Sequence, residues 1–260
     1  MTPDTILHLE KLALAAWPAQ ETAHVHGWAL RAAQGFTKRA NSANALAPEG
    51  DFAALRAAAE AFYRARGLPP VFRLTPLAPP EADVALAAAG YQEADPSRVM
   101  TAAARADSPP EVHVDEAVAD GWLDGFAAAN GVAGALRPLH DGMVRRIEGH
   151  TGFATLRRDG RALGYGLAVC AEGWVGLFDL VIASEARGQG LGRRLVDGLT
   201  AWGAAHGEDR AYLQVRDGNM AARRLYVRCG FSDAYAYRYR MGPPRALSEK
   251  CDALFGLKSA

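Results

Sequence analysis

The 260-residue sequence predicts an α/β protein built from two successive, similar halves. Three observations lead there. Segments of helical apolar spacing alternate with short strand-like runs along the whole chain. A polar, proline-containing stretch, "RADSPPEV" (105–112), separates two such series. Both series also end alike: "LAAAGYQEADPSRVM" (86–100) and "LYVRCGFSDAYAYRYRM" (225–241) each run helix, glycine, aromatic, turn, strand. That likeness suggests an internal duplication.

The first half opens with a helix over 4–16, where Ile6, Leu7, Leu9, Leu12 and Leu14 share helical spacing. "HVHGWALRAA" (24–33) and "GFTKRANSANAL" (35–46) read as strands separated by a glycine turn. Residues 51–67 form a helix with Asp51 as N-cap and Gly67 as stop signal. A short strand lies within "PPVFRLTPLAPP" (69–80), then a helix to Gly90 and a strand around 97–103. The second half starts with a strand in "EVHVDEA" (111–117) and helices at 120–131 and 137–150. Strands follow at 151–160, 161–170 and 174–183, then a glycine-rich loop opening a helix to about His206. "AYLQVR" (211–216) is a strand, 219–230 a helix, and "FSDAYAYRYRM" (231–241) the closing strand. The expected domains are 1–106 and 111–241, with a tail, 242–260, forming one more short helix.

Composition excludes several classes. Lys+Arg and Asp+Glu balance at 29 each, so the basic excess of a nucleic-acid or anionic-membrane binder is missing. No stretch approaches the ~20 apolar residues of a membrane span. The N-terminus carries Asp4, Glu10 and Lys11 within its apolar pattern, unlike a secretory signal. Cys170, Cys229 and Cys251 are widely spaced, which indicates neither a disulfide framework nor a zinc site. His24 and His26 alternate on one expected strand, but no third ligand is in range, so no metal is expected. No GxSxG or HExxH supports a hydrolase. The expectation is a cytoplasmic protein.

The informative stretch is "ARGQGLGRRLVDGL" (186–199). A strand, a glycine-rich turn and a helix together make an anion cradle: glycines let the backbone approach, and the helix N-terminus favours negative charge. The P-loop pattern GxxxxGK[ST] does not occur, and the dinucleotide pattern GxGxxG fails at Arg193 or Leu195. Arg187-Gly188-Gln189-Gly190-Leu191-Gly192 instead reads R-x-x-G-x-G. Downstream, Asn219-x-x-Ala222-x-x-Leu225-Tyr226-x-x-x-Gly230-Phe231 follows at fixed spacing.

These two motifs, with Leu180-Val181-Ile182 ending five residues before Arg187, resemble the GNAT superfamily of N-acetyltransferases over about residues 111–241. The resemblance implies a GNAT fold, a mixed but mostly antiparallel twisted sheet flanked by helices. It makes the first half a degenerate relative that lacks the R-x-x-G-x-G loop. It implies acetyl transfer from acetyl-CoA to an amine by direct attack, without a metal. The amides of 188–193 would hold the pyrophosphate beside Arg187 and Arg193, and Leu180, Val181 and Ile182 would pair with pantetheine. Asn219 and Ala222 would meet the cofactor arm, and Tyr226 would protonate the leaving thiolate.

The sequence departs from the family pattern at the base. Gly176 stands near where many members carry Glu, which leaves Asp179 as the candidate base or substrate anchor. Strand parity places Asp179 opposite Leu180 and Ile182 unless a bulge intervenes. For the acceptor, "GFTKRANSAN" suggests a polar strand face with Arg39 and Asn41 in a cleft between the halves, and Trp28 as an apolar wall. The acceptor is a small-molecule or peptide amine, and a homodimer is compatible with this reading. The alternative is a CoA-binding sensor or scaffold without catalysis.

Overall fold

The computed structural model describes residues 1–243, so the expected tail helix lies outside the described residues. The chain divides into two compact units: Met1–Ser97 with the segment from Tyr235 onward, and Arg98–Ala234. The break expected at 105–112 does not coincide with this division. Both junctions fall inside strands, Gln92–Ala103 and Ser232–Met241, so no loop or linker composition marks them in the sequence.

The first unit begins with α1 (Pro3–Ala15), whose N-cap Thr2 accepts a hydrogen bond from the Thr5 amide. Two antiparallel strands follow, β1 (Glu21–Val25) and β2 (Trp28–Ala32). The segment 24–33 is therefore a hairpin and not one strand. Its turn residues His26 and Gly27 have φ of 47° and 73°, as a two-residue hairpin turn requires. His26 thus leaves the strand face that it was expected to share with His24.

The run 35–46 also differs from expectation. It folds as a loop with a 3₁₀ turn at Lys38–Ala40, and only Ala43–Ala45 forms a strand, β3. Asn41 explains this. Its Oδ1 accepts from the amides of Ala33 (2.7 Å) and Gly35 (2.9 Å), and its Nδ2 donates to the carbonyls of Phe36 and Thr37 (both 2.8 Å). A side chain that satisfies four local backbone groups competes with a sheet ladder and here wins. Beyond it come α2 (Phe52–Arg64), β4 (Val71–Leu74), α3 (Pro80–Ala88) and β5 (Gln92–Ala103). The order is β1-β2-β3-β4, followed by β11 (Ser232–Met241). β3 runs parallel to β4. Trp28, Leu30, Phe52, Leu55, Phe72 and Leu86 make its core.

The second unit contains β6 (Val112–Asp115), α4 (Asp120–Asn130), α5 (Leu136–Val144), β7 (His150–Arg158), β8 (Arg161–Ala171) and β9 (Trp174–Ile182). It continues with α6 (Leu191–Ala205), β10 (Arg210–Arg216) and α7 (Met220–Arg228). β6 to β9 form an antiparallel meander, and β10 joins β9 in parallel. Leu191, Leu195, Val196 and Leu199 of α6 pack with Val175, Leu177 and Leu213 on one face.

The repeat seen in the sequence is a repeat of structure. Both halves of the sequence run three strands, helix, strand, helix, strand: β1-β2-β3-α2-β4-α3-β5 and β7-β8-β9-α6-β10-α7-β11. Their last helices end identically. The Tyr91 amide donates to the Leu86 carbonyl and the Phe231 amide to the Tyr226 carbonyl, both at 3.0 Å. The intervening Gly90 and Gly230 have φ of 83° and 92°, which glycine adopts without steric cost.

Candidate active site

The site is built around the second half of β9. The parallel register with β10 runs from Trp174/Arg210 to Leu177/Leu213, whereas β9 itself continues to Ile182. On its other edge β9 stays paired with β8, through Tyr165/Val181 and Gly164/Ile182. The β9–β10 register thus ends before Leu180–Ile182.

A bulge sits at the point of parting. Leu167 pairs with Phe178 and Tyr165 with Val181, so Asp179 and Leu180 together oppose Gly166. Asp179 adopts φ 49°, a left-handed conformation that Asp tolerates better than most residues. A Cβ on Gly166 would lie 2.7 Å from Leu199 and 2.9 Å from Leu180, so the bulge needs glycine opposite it. The bulge resets the alternation of β9. Leu180 and Ile182 pack with the α6-side core, and Asp179 turns to the other face, toward α5. The expected opposition of Asp179 to Leu180 and Ile182 is what the structure contains.

At the end of β9 stands the glycine-rich turn. Gly188 and Gly190 both have φ of 77°, and a Cβ on either would meet nothing within 4 Å. Here glycine meets the backbone conformation, and the space around the loop is open. α6 starts at Leu191 with Gly190 as N-cap and no side-chain cap hydrogen bond. The amides of its first turn are thus not taken by a capping side chain. Gly192 serves a different purpose, since a Cβ there would lie 2.9 Å from Leu225 and 3.9 Å from Ile182. Strand, loop and α7 therefore meet at this glycine. Arg187 Nε donates to the Ile182 carbonyl (3.0 Å), and Gln189 Nε2 to that of Glu185 (3.4 Å). Arg193 pairs with Asp197 at 3.4 Å and remains half exposed.

On α7, Asn219 Oδ1 accepts from the Ala222 amide at 3.1 Å, so Asn219 is the N-cap. The Tyr226 ring is buried beside Phe231. Burial, with a smaller influence from Cys229, pushes its hydroxyl up to about 12. The phenol stays protonated at neutral pH, as a proton donor must.

The opposite face of β9 carries a residue with no sequence motif to mark it. His140, on α5, is 1 % exposed. Its Nε2 lies 2.8 Å from Asp179 Oδ2 and its Nδ1 3.1 Å from Asp141 Oδ1. Burial, the largest influence, disfavours the charged ring. The hydrogen bonds and charges of Asp179 and Asp141 outweigh it and hold the imidazole above its ordinary value. A signal did exist: His140 occupies the apolar stripe of its helix, with Met143 and Val144. Gly176, where the family pattern calls for Glu, has no room for any side chain. A Cβ there would lie 2.6 Å from the Tyr212 ring.

The residues expected to touch the acceptor lie in the other unit. Trp28 is buried against Phe52 and Phe72, Asn41 is engaged by its loop, and the Arg39 guanidinium lies 5.5 Å from the Trp17 ring centroid. Each has a role in packing its own unit. Among the described residues, no group of three or more His, Cys, Asp or Glu could hold a metal.

This geometry can be set beside known proteins. The family model of the C-terminal part of a probable histone acetyltransferase, Rv0428c, matches residues 4–240. The chain belongs to this family of GNAT-type N-acetyltransferases. It is 33% identical over 247 residues to YobR, an uncharacterized N-acetyltransferase of Bacillus subtilis (strain 168), spanning 92% of this chain and 99% of YobR. Among solved structures, a GCN5-related N-acetyltransferase from Kribbella flavida superposes with TM-score 0.67 at 16% identity, over 93% of this chain and 96% of that one. A tandem GNAT protein from the clavulanic acid biosynthesis pathway gives TM-score 0.58 at 14% identity, over 91% and 88%. At such identities the likeness concerns the fold, and the fold is the tandem GNAT fold. The family match spans both units.

Proposed function

We propose that the second unit transfers the acetyl group of acetyl-CoA to an amine by direct attack, with the acceptor left at the level of a small-molecule or peptide amine. The observation that carries this reading is a convergence at the end of β9. A strand end past the β9–β10 register, a glycine-rich helix N-terminus without a capping side chain and a protonated Tyr226 on the adjoining helix all belong to one unit. The residues suit acetyl-CoA. The end of β9 at Leu180 to Ile182, past the β9–β10 register, matches the amides of a pantetheine arm, and its Ile182 carbonyl accepts from Arg187 Nε. The amides of Gly188 to Gly192, with Arg187 and Arg193 nearby, match a pyrophosphate. Acetyl-CoA supplies the activated acyl group. Asp179 takes a proton from the incoming ammonium, the amine nitrogen bonds to the acyl carbon as the C–S bond breaks, and Tyr226 protonates the thiolate. The second amine proton replaces the one that Tyr226 gave, and the proton on Asp179 leaves to solvent.

The test combines binding and turnover. Purified protein is expected to release CoA thiol from acetyl-CoA in the presence of a primary amine. Gly190→Val places a β-branched residue at positive φ in the loop and should weaken CoA binding by calorimetry by about 2 kcal/mol, roughly 30-fold. Unchanged affinity in a folded Gly190→Val protein would remove the cradle from this reading. Binding without turnover would make the protein a CoA sensor.

A further inference from the structure

We propose that His140 is a positioning residue for amine acetylation: it fixes Asp179 at the bulge and, by its own protonation, governs when that carboxylate can take a proton. This rests on the reading above, in which Asp179 receives the proton of the acceptor.

The argument begins with hydrogen-bond bookkeeping on the ring. Both nitrogens face carboxylate oxygens, at 2.8 Å (Asp179) and 3.1 Å (Asp141). A neutral imidazole has one N–H, so one of these contacts would set lone pair against lone pair. Only the imidazolium donates to both. Its surroundings support that state. Phe126 of α4 lies face to face with the ring, with centroids 4.7 Å apart and planes 13° apart, and Trp122 stacks on Phe126 at 5.4 Å and 2°. A cation against an aromatic face is favourable when desolvated. The three-ring stack also fixes the plane of the imidazole and thus the line along which it meets Asp179.

The charged groups around the ring form one chain. Asp179 faces it from β9 and Asp141 from α5. Arg137 of α5 holds Asp141 through Nε at 2.6 Å and Asp124 of α4 through Nη2 at 2.7 Å. Arg137 divides its charge between Asp141 and Asp124, so the ring faces a net excess of carboxylate, which favours its charged form. The burial of His140 and Asp179 differs in a useful way. The His140 side chain is 2 % exposed and that of Asp179 15 %. The carboxylate is the member that an acceptor can reach, and the imidazole stands behind it. With the ring charged, delivery of a proton to Asp179 works against an attractive pair. Once the ring is neutral, that opposition is gone. An alternative role as a plain structural histidine explains the burial but not two carboxylates on one ring next to a strained bulge.

The experiment measures kcat against pH with acetyl-CoA and a panel of amine probes (spermidine, tyramine, and short peptides with a free N-terminus or lysine). Wild type should show a rising limb centred above the ordinary histidine value. His140→Gln keeps an N–H donor toward Asp179 but does not titrate, so it should lose that limb, with acetyl-CoA affinity unchanged. A folded His140→Gln protein that keeps the limb overturns the inference. Should that variant fail to fold, ¹⁵N spectra of the wild-type ring decide. Both nitrogens should stay protonated to higher pH than in the unfolded chain, and Asp179→Asn should shift the transition to lower pH. A ring that titrates at the ordinary value, indifferent to Asp179→Asn, also overturns it. Wild type that binds CoA but acetylates none of the amines removes the functional reading and this inference with it.

Discussion

The start of α2 in the first unit and the start of α6 in the second occupy the same topological position, after the third strand of the repeat. They are finished in opposite ways. At α2, Asp51 turns its own carboxylate onto the helix N-terminus and accepts from the amides of Ala53 (3.1 Å) and Ala54 (3.3 Å). At α6, Gly190 contributes no side chain, so no side chain caps the first-turn amides, and the Arg193 amide donates to the Gly190 carbonyl at 3.1 Å. One unit satisfies its helix with a built-in anion; the other leaves that helix start without one, where the proposed function places the pyrophosphate. The last helix repeats the contrast. Four residues before the helix-ending glycine stands Leu86 in the first unit and Tyr226 in the second. Position, burial and the following hydrogen bond match, but the side chain is aliphatic in the first unit and a phenol in the second. The first unit thus keeps the order of elements but has Asp51 and Leu86 where the proposed function uses the glycine loop and Tyr226.

The largest test of this comparison removes from the second unit the hydroxyl that the first unit does not have at that helix. Tyr226→Phe should lower kcat by roughly 10²-fold while the acetyl-CoA dissociation constant stays near wild type. The phenylalanine ring preserves the packing against Phe231, so stability should change little. Equal kcat in the two proteins would make Tyr226 a core residue, as Leu86 is in the first unit.

A second test acts on the closed cradle. Asp51→Ala should lower the stability of the first unit by about 1 kcal/mol, the usual cost of a lost N-cap. Acetyl-CoA affinity should be unchanged, because Leu86 and a three-residue β3 offer neither acid nor open strand edge beside it. A second CoA equivalent bound by Asp51→Ala in calorimetry would show that the cap alone separates the two units.

What was legible in the sequence follows from how local each feature is. The glycine loop, the α7 motif and the repeated helix endings are local: Gly188, Gly190, Asn219 and Gly230 each report a backbone state fixed by near neighbours. The bulge is not local. It depends on the pairing of β8 with β9 and on Gly166, across the strand from Asp179, so parity alone could only leave it open. His140 and Asp179 are 39 residues apart, and only the packing of α5 on the sheet joins them. The loop at 33–41 misled for a third reason. Alternating polar residues resemble an exposed strand, but Asn41 bonds its own backbone, a choice that composition does not reveal. The unit junctions at Ser97 and Ala234 were hidden because strands there continue through them.

The smallest expected effect separates the units by their response to pH. In the first unit, Asp83 on α3 accepts from Arg238 and Arg240 at 2.7 to 3.3 Å, and those hydrogen bonds lower its carboxyl to about 2. A carboxyl whose folded value is lowered adds stability above its unfolded value, and that stability disappears as pH falls toward 2. His140 in the second unit behaves in the reverse sense. Its folded value is raised, so its contribution is complete below the unfolded value near 6.5 and disappears as pH rises through the folded one. Thermal unfolding of wild type, Asp83→Asn and His140→Gln should therefore diverge at opposite ends. The Asp83→Asn deficit should shrink toward acid, and the pH-dependent part of the His140→Gln deficit should shrink toward base. The Asp83 cluster is partly solvated, so its effect should stay below about 1 kcal/mol. Parallel pH profiles for the two variants would mean that the charge pairs do not distinguish the units, and that the contrast between them lies in the cradle and Tyr226 alone.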